Sequence, residues 1–168
     1  DARTDGMPAK AFQILDIQKH YACTGIQVMP INTLFQLYSM QQSQDVQLEV
    51  AHQLLFMPDL FSYYLTGVAN NEYCIASTSE LLDARQRNWS MDTIRALGLP
   101  EHLFGEIILP GTIRGTLKED IVRETGLGSV DIIAVGSHDT ASAVAAVPAM
   151  EGQVAFPVSY THLTLPTN

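Results

Sequence analysis

Ser137-His138-Asp139-Thr140-Ala141-Ser142-Ala143-Val144-Ala145 follows an apolar run, Asp131-Ile132-Ile133-Ala134-Val135, closed by Gly136. The run predicts a strand, and the small residues from Thr140 to Val147 predict a helix. Asp139 is thereby held at a strand-to-helix turn, near the positive end of a helix dipole. Such a turn projects a carboxylate into a cleft at the end of a sheet. That placement suits a base that takes a proton from a bound hydroxyl. The same residues support a plainer role. Aspartate is a favoured N-cap, and its carboxylate can simply satisfy the free N–H groups of Thr140 to Ser142. On local sequence alone, capping is the stronger reading. Ser137, His138 and Asp139 do not read as a hydrolase triad, because triad members meet in space from separate segments. No G-x-S-x-G elbow accompanies them.

Composition sets the outer bounds. The chain has 168 residues, enough for one domain with a real core, and 46% are hydrophobic, which argues against disorder. A formal net charge of −9 disfavours a protein that coats nucleic-acid phosphates, which needs a basic face. It leaves room for a nucleotide enzyme, where a few local groups and a metal handle the phosphates. Cys23 and Cys74 are too few and too far apart for a disulfide framework or a zinc site, and read as two buried free thiols. No segment approaches the ~18 apolar residues of a membrane helix. No basic, then apolar, leader opens the chain. A cytoplasmic protein is the expectation, although the chain begins at Asp1 rather than Met.

Working outward, Pro8 to about Ala22 predicts one helix, with Gly25 after its end. Asn32 is placed to cap a second helix whose apolar side includes Leu34, Phe35, Leu37, Tyr38 and Met40. Gln41 to Gln47 reads as a loop or a solvated helical turn, and Leu54 to Met57 as a short buried run. Pro58 starts a helix carrying Phe61, Tyr63 and Tyr64, which read as core, with Gly67 as its C′ glycine. Ala76 to Leu82 fits a strand, or a turn and a strand. Ser90 is placed to cap a helix from Met91 to Leu97, closed by Gly98 and Pro100. Gly111 to Leu117 alternates like an exposed strand, and Glu119 to Glu124 is helical, ending at Gly126. Gly126-Leu127-Gly128 precedes a strand and lacks a third glycine, so it is a turn and not a dinucleotide loop. No P-loop, zincin, EF-hand or solenoid repeat occurs. Helices alternating with a few strands give a mixed α/β layer architecture. Val158 to Asn168 continues no helical or strand pattern, and residues 158–168 are set aside as a non-native tail.

Taken in order and spacing, several segments resemble the FGGY carbohydrate kinases, most of all their rhamnulokinase branch. They are Asp1-Ala2-Arg3-Thr4-Asp5-Gly6, Thr24-Gly25-Ile26-Gln27, Pro30 to Leu37, Met57 to Gly67, Asn71-Glu72-Tyr73-Cys74-Ile75-Ala76-Ser77-Thr78, and Gly136 to Val144. Broader family members usually carry Thr-Asp where this chain has Asn71-Glu72.

The resemblance implies an actin-like (RNase H-like) α/β sugar kinase, of which residues 1–157 are part of the N-terminal sugar-binding lobe. It implies ATP-dependent phosphorylation of L-rhamnulose at its primary hydroxyl, with Mg²⁺ and ATP as cofactors of the full-length enzyme and a small-molecule sugar as partner. Asp139 matches the family's catalytic base, and that match reverses the weighing in favour of chemistry. His138 and Thr140 match positions that flank the base and touch the sugar, while Asn32 and Tyr73 lie in motifs near the sugar pocket. Tyr73 equally fits a core aromatic. The family's phosphate-gripping hairpin, a glycine- and threonine-bearing turn after Phe156, and the adenosine-binding lobe are not among these residues. The chain is therefore expected to be inactive alone and to hold no complete ATP site; no residue is assigned to ATP or to a metal. Kinases for xylulose, fuculose or glycerol are the competing readings, beside a sugar-binding module without catalysis and a scaffold built on the same fold.

Overall fold

The sequence predicts one helix from Pro8 to Ala22, but the chain makes two, α1 (Met7–Ala11) and α2 (Ile17–Thr24). Asp16 is the reason: its Oδ1 accepts the N–H groups of Gln18 (2.9 Å) and Lys19 (3.0 Å), starting a new helix. Gly25 ends α2 in the left-handed region, at φ 67°, as a C′ glycine does. These coordinates are a computed structural model that describes residues 2–148; the tail assigned to residues 158–168 lies outside them.

Next come α3 (Thr33–Gln42), α4 (Val46–Val50) and α5 (Met57–Thr66). The segment read as a loop or a solvated helical turn, 41–47, holds the end of α3, a turn at 43–45 and the start of α4, which Asp45 caps through the Gln47 N–H. After α5 the order is β1 (Asn71–Glu72), α6 (Tyr73–Ser77), β2 (Leu82–Asp83), β3 (Asn88–Trp89), α7 (Met91–Ala96), β4 (Ile107–Ile108), β5 (Ile113–Thr116), α8 (Glu119–Thr125), β6 (Asp131–Ile133) and α9 (Asp139–Ala145). The segment from Ala76 is thus the end of a helix, with Glu72 as its cap, before it becomes a strand. Strands β1 and β4 pair in parallel, Asn71 opposite Ile107 and Glu72 opposite Ile108. Strands β2 and β3 form an antiparallel pair, and so do β5 and β6, which carry a bulge between Ile113 and Gly115.

The core lies in the amino-terminal body. Leu34 and Phe35 of α3, Leu81, Ile94 of α7 and Leu103 are fully buried. Trp89 packs edge-on against Phe104 and donates its indole N–H to the Gly105 carbonyl at 2.7 Å. Trp89 thus buries a large apolar area while its indole N–H keeps a partner.

Three expectations about burial fail. Phe61, Tyr63 and Tyr64 are exposed rather than core, Leu54 to Phe56 are only half-buried with Met57 exposed, and both cysteines are half-buried. In α5 the cause is the opposite face. Its fully buried residue is Asp59, which turns inward to Arg114 of β5, so the helix packs on a charged pair and leaves its aromatic side outside.

Candidate functional site

The turn Gly136–His138 joins β6 to α9 as the sequence predicts. Glycine at 136 suits a close approach. A Cβ there would sit 3.3 Å from Ala141 Cβ, so that α9 would have to give by a few tenths of an ångström, and at ordinary contact, 3.6 Å, from Ser142 N. The Ser142 hydroxyl donates to the Gly136 carbonyl at 2.6 Å and holds the helix down.

His138, not Asp139, occupies the N-cap position of α9, and Asp139 is the first helical residue. Asp139 Oδ1 nonetheless accepts the Thr140 N–H at 2.6 Å and lies 3.2 Å from the Thr140 hydroxyl. Capping and exposure therefore coexist: one carboxylate oxygen is engaged at the helix start, while the side chain remains 83% exposed. His138 Nδ1 stands 3.2 Å from Asp139 Oδ1 and 3.3 Å from Thr140 N. With a proton on Nδ1 the ring donates to Asp139; without one it accepts from Thr140. His138, Asp139 and Thr140 are thus brought together in one hydrogen-bonded cluster.

Asp139 also borders a cleft of about 340 Å³ between α5 and the β6–α9 turn, with Pro58, Ser62, Arg114, Val135, Gly136, Ser137 and Ser142 around it. His138 and Thr140 do not line it. A larger hollow of about 540 Å³ lies elsewhere, beside Asp16, His20, Cys23, Asp83 and Trp89. Two of its acids, Asp16 and Asp83, are tied to backbone N–H groups of their own turns. The Lys19 N–H holds the Asp16 carboxyl below the usual carboxylate range, and the Gln86 N–H does the same for Asp83. The strand-to-helix position of Asp139 points to the smaller cleft.

Beneath the turn sits polar machinery that sequence reasoning did not single out. Glu72 is 0% exposed. Its Oε1 accepts the Cys74 N–H at 2.7 Å, and its Oε2 accepts those of Ile75 at 3.2 Å and Ser137 at 3.0 Å. One carboxylate therefore caps α6 and grips the turn that carries Asp139. The Glu72 N–H donates to Asp59 Oδ1 at 3.1 Å, which also takes the Arg114 guanidinium at 2.7 Å. Arg114 gives a second bond to Asn70 Oδ1 at 3.0 Å. A faint signal existed: an arginine in an otherwise alternating strand, and an aspartate inside the first turn of α5, both need partners if they face inward.

Asn32 and Tyr73 read differently in place. Asn32 does begin α3, but its amide donates to Glu80 Oε1 at 2.6 Å and to the Gln27 carbonyl at 3.3 Å instead of capping. Glu80 is buried with φ 62° and also holds the Met29 N–H and His20 Nε2, at 3.0 and 3.2 Å. Tyr73 packs against the hydrophobic core.

Among the described residues, no group of three or more His, Cys, Asp or Glu is arranged to hold a metal ion. No helix among them is long and apolar enough to cross a membrane.

Known proteins place this geometry. The rhamnulokinase of Bacteroides thetaiotaomicron is 45% identical over 156 residues, covering 93% of this chain and 32% of that protein. That of Halalkalibacterium halodurans is 38% identical over 148 residues, 88% of this chain and 32% of that protein. The chain thus spans about a third of the length of these curated relatives. Among solved structures, a ligand-bound xylulose kinase from Lactobacillus acidophilus superposes with TM-score 0.75 at 18% identity, over 88% of this chain and 31% of that one. A gluconate kinase from the same organism gives 0.72 at 18% identity, over 80% and 28%. These likenesses fix the fold as a partial lobe of the FGGY, actin-like type. Residues 1–146 match the N-terminal domain of the FGGY family of carbohydrate kinases, and the chain belongs to that family.

Proposed function

We propose that this segment forms the sugar side of a kinase that phosphorylates L-rhamnulose at its primary hydroxyl, with Asp139 as the base. One observation carries the reading: Asp139 stands at the start of α9, beside a cleft, 83% exposed and with only one carboxylate oxygen engaged among the described residues. Phosphoryl transfer to a hydroxyl runs through a loose transition state, so positioning does most of the work. The free oxygen of Asp139 orients the acceptor hydroxyl and takes its proton as the new O–P bond forms. His138 and Thr140 flank the base outside the cleft's lining, and would meet the sugar only where it extends past the cleft's rim. ATP supplies the phosphoryl group, and its site is assigned to none of the described residues.

L-Rhamnulose is favoured over xylulose, fuculose or glycerol by the names of the curated relatives at 36–45% identity. The xylulose and gluconate kinases resemble the chain in fold at 18% identity, which says nothing of the pocket.

The test is a chimaera in which this segment replaces the matching third of the Bacteroides thetaiotaomicron rhamnulokinase. Loss of a general base lowers turnover about 10²–10⁴-fold. Asp139→Asn should do so with sugar KM changed only a few-fold. Unaltered turnover in that variant leaves Asp139 a cap and ends the reading. His138→Ala should raise sugar KM roughly tenfold with ATP KM little changed, the loss of one hydrogen bond to the sugar. The 168-residue chain by itself should phosphorylate nothing.

A further inference from the structure

We propose that Glu72 is a positioning residue for the reaction, acting through the Ser137 amide on the placement of Asp139. The inference rests on the reading of Asp139 as the base.

The bonds made by Gly136, the Ser137 hydroxyl and Asp139 run within Val135–Ser142 and cannot fix the turn against the rest of the molecule. The bond from Ser137 N to Glu72 Oε2 does, crossing 65 positions in sequence. Its acceptor is well anchored. Glu72 is fully buried, lies in the β1–β4 pair opposite Ile108, and its own N–H is held by Asp59. Asp59 is held in turn by Arg114, on the strand next to β6. Both ends of the turn's support thus trace back to one buried polar assembly.

Charge strengthens the tie. A carboxylate that accepts backbone N–H groups makes charge-assisted bonds, about twice as strong as neutral ones. Oε1 caps α6 through the Cys74 N–H without touching the turn, and only Oε2 reaches Ser137 N, so capping and gripping are separable. A side chain one methylene shorter still caps a helix, since aspartate is a preferred N-cap. Its oxygens then sit more than an ångström back from the turn and lose Ser137.

Glu72→Asp therefore tests the proposal in the active chimaera. A displacement of about 1 Å at a reacting group lowers rates by about 10²-fold. We expect kcat to fall 10- to 100-fold, sugar KM to stay within threefold, and the melting temperature to stay within a few degrees. Amide exchange should rise in a peptide spanning residues 131–142 and not in one spanning 33–42. The double variant Glu72→Asp/Asp139→Asn separates positioning from general damage. If Glu72 acts through Asp139, the double variant is no slower than Asp139→Asn alone. Multiplying losses, or unchanged kcat with unchanged exchange at 131–142, overturns the proposal. Full turnover in Asp139→Asn instead sinks the base assignment itself, and the two failures are told apart.

Discussion

The amino-terminal body and the site-bearing segment are held by different forces. In the body, Leu34, Phe35, Leu81, Ile94 and Leu103 interlock with no exposure, and apolar burial carries the stability. From Ile113 onward the balance inverts. Helices α8 and α9 bury no residue, and Ile133 and Val135, flanking the site, are 56% and 63% exposed. The segment's Leu117 and Ala134 are buried, and beside them run polar ties: Arg114 to Asp59, Ser137 to Glu72, and the Lys118 N–H to the Leu65 carbonyl at 2.9 Å. Packing spreads its load over many contacts, so single losses there are partial. A polar tie fails all at once and leaves an unsatisfied buried group. The site is therefore built where one substitution changes geometry most.

The sharpest way to break the contrast is at the joint itself. Arg114 and Asp59 are 1% and 0% exposed and 2.7 Å apart. Asp59→Ala takes the carboxylate from the guanidinium, leaves the Glu72 N–H without its acceptor inside the protein, and leaves Asn71 Nδ2 only the Leu54 carbonyl. Removing one partner of a buried pair costs about 3–5 kcal/mol. We expect a loss of that size in guanidinium unfolding, with sugar affinity abolished in the chimaera. A loss below about 1 kcal/mol, the range of exposed pairs, would show the pair to be dispensable.

Next in size is a matched pair of truncations. Leu34→Ala in the body should cost about 2–5 kcal/mol, the range for emptying a packed site. Ile133→Ala on the exposed face of β6 should stay within about 0.5 kcal/mol. Equal losses would mean that the two regions share one apolar core, contrary to the burial pattern.

Gly136→Val gives a smaller, more local effect. Its Cβ meets Ala141 Cβ at 3.3 Å, and overpacking of this kind costs about 1–3 kcal/mol. Displacement of α9 should lower kcat in the chimaera while the body's amide exchange stays unchanged.

How far the sequence carried these conclusions follows from the range of each signal. The stops at Gly25, Gly67 and Gly126 were legible because a left-handed glycine after a helix is a local pattern, and all three have φ between 67° and 77°. The strand, turn and helix around Asp139 were legible for the same reason. The face of α5 was not. Periodicity marks Phe61, Tyr63 and Tyr64 as apolar, but only the distant Arg114 decides that the Asp59 side goes inward. Asn32 was correctly placed at a helix start, yet its amide is claimed by Glu80, 48 positions away. Glu72 was visible only as a departure from Thr-Asp, with no local hint that it reaches Ser137. The site's residues were thus readable, and the assembly that holds them was not, because each of its bonds joins segments that sequence windows never see together.

The smallest effect probes that assembly from its edge. Cys74 follows Glu72 by two residues, and burial first, then the hydrogen bond and negative charge of Glu72, push its thiol from 9.0 to about 11. The thiolate is the reactive form, so alkylation tracks ionisation. In a Cys23→Ser background, the rate with iodoacetamide should still climb tenfold per pH unit at pH 10, where an ordinary thiol has levelled off. The sign for stability follows. The unfolded chain releases this proton near pH 9 and the folded chain only near 11, so the folded state binds more protons between them. Stability contributed by the neutral thiol is complete below pH 9 and is lost as pH rises from about 9 towards 11. Glu72→Gln removes the charge but not the burial. The midpoint should therefore drop part of the way to 9, with burial, the larger cause, keeping the remainder. A midpoint near 9 in the parent would mean that Cys74 does not stand beside a buried carboxylate, and the joint beneath Asp139 would have to be redrawn.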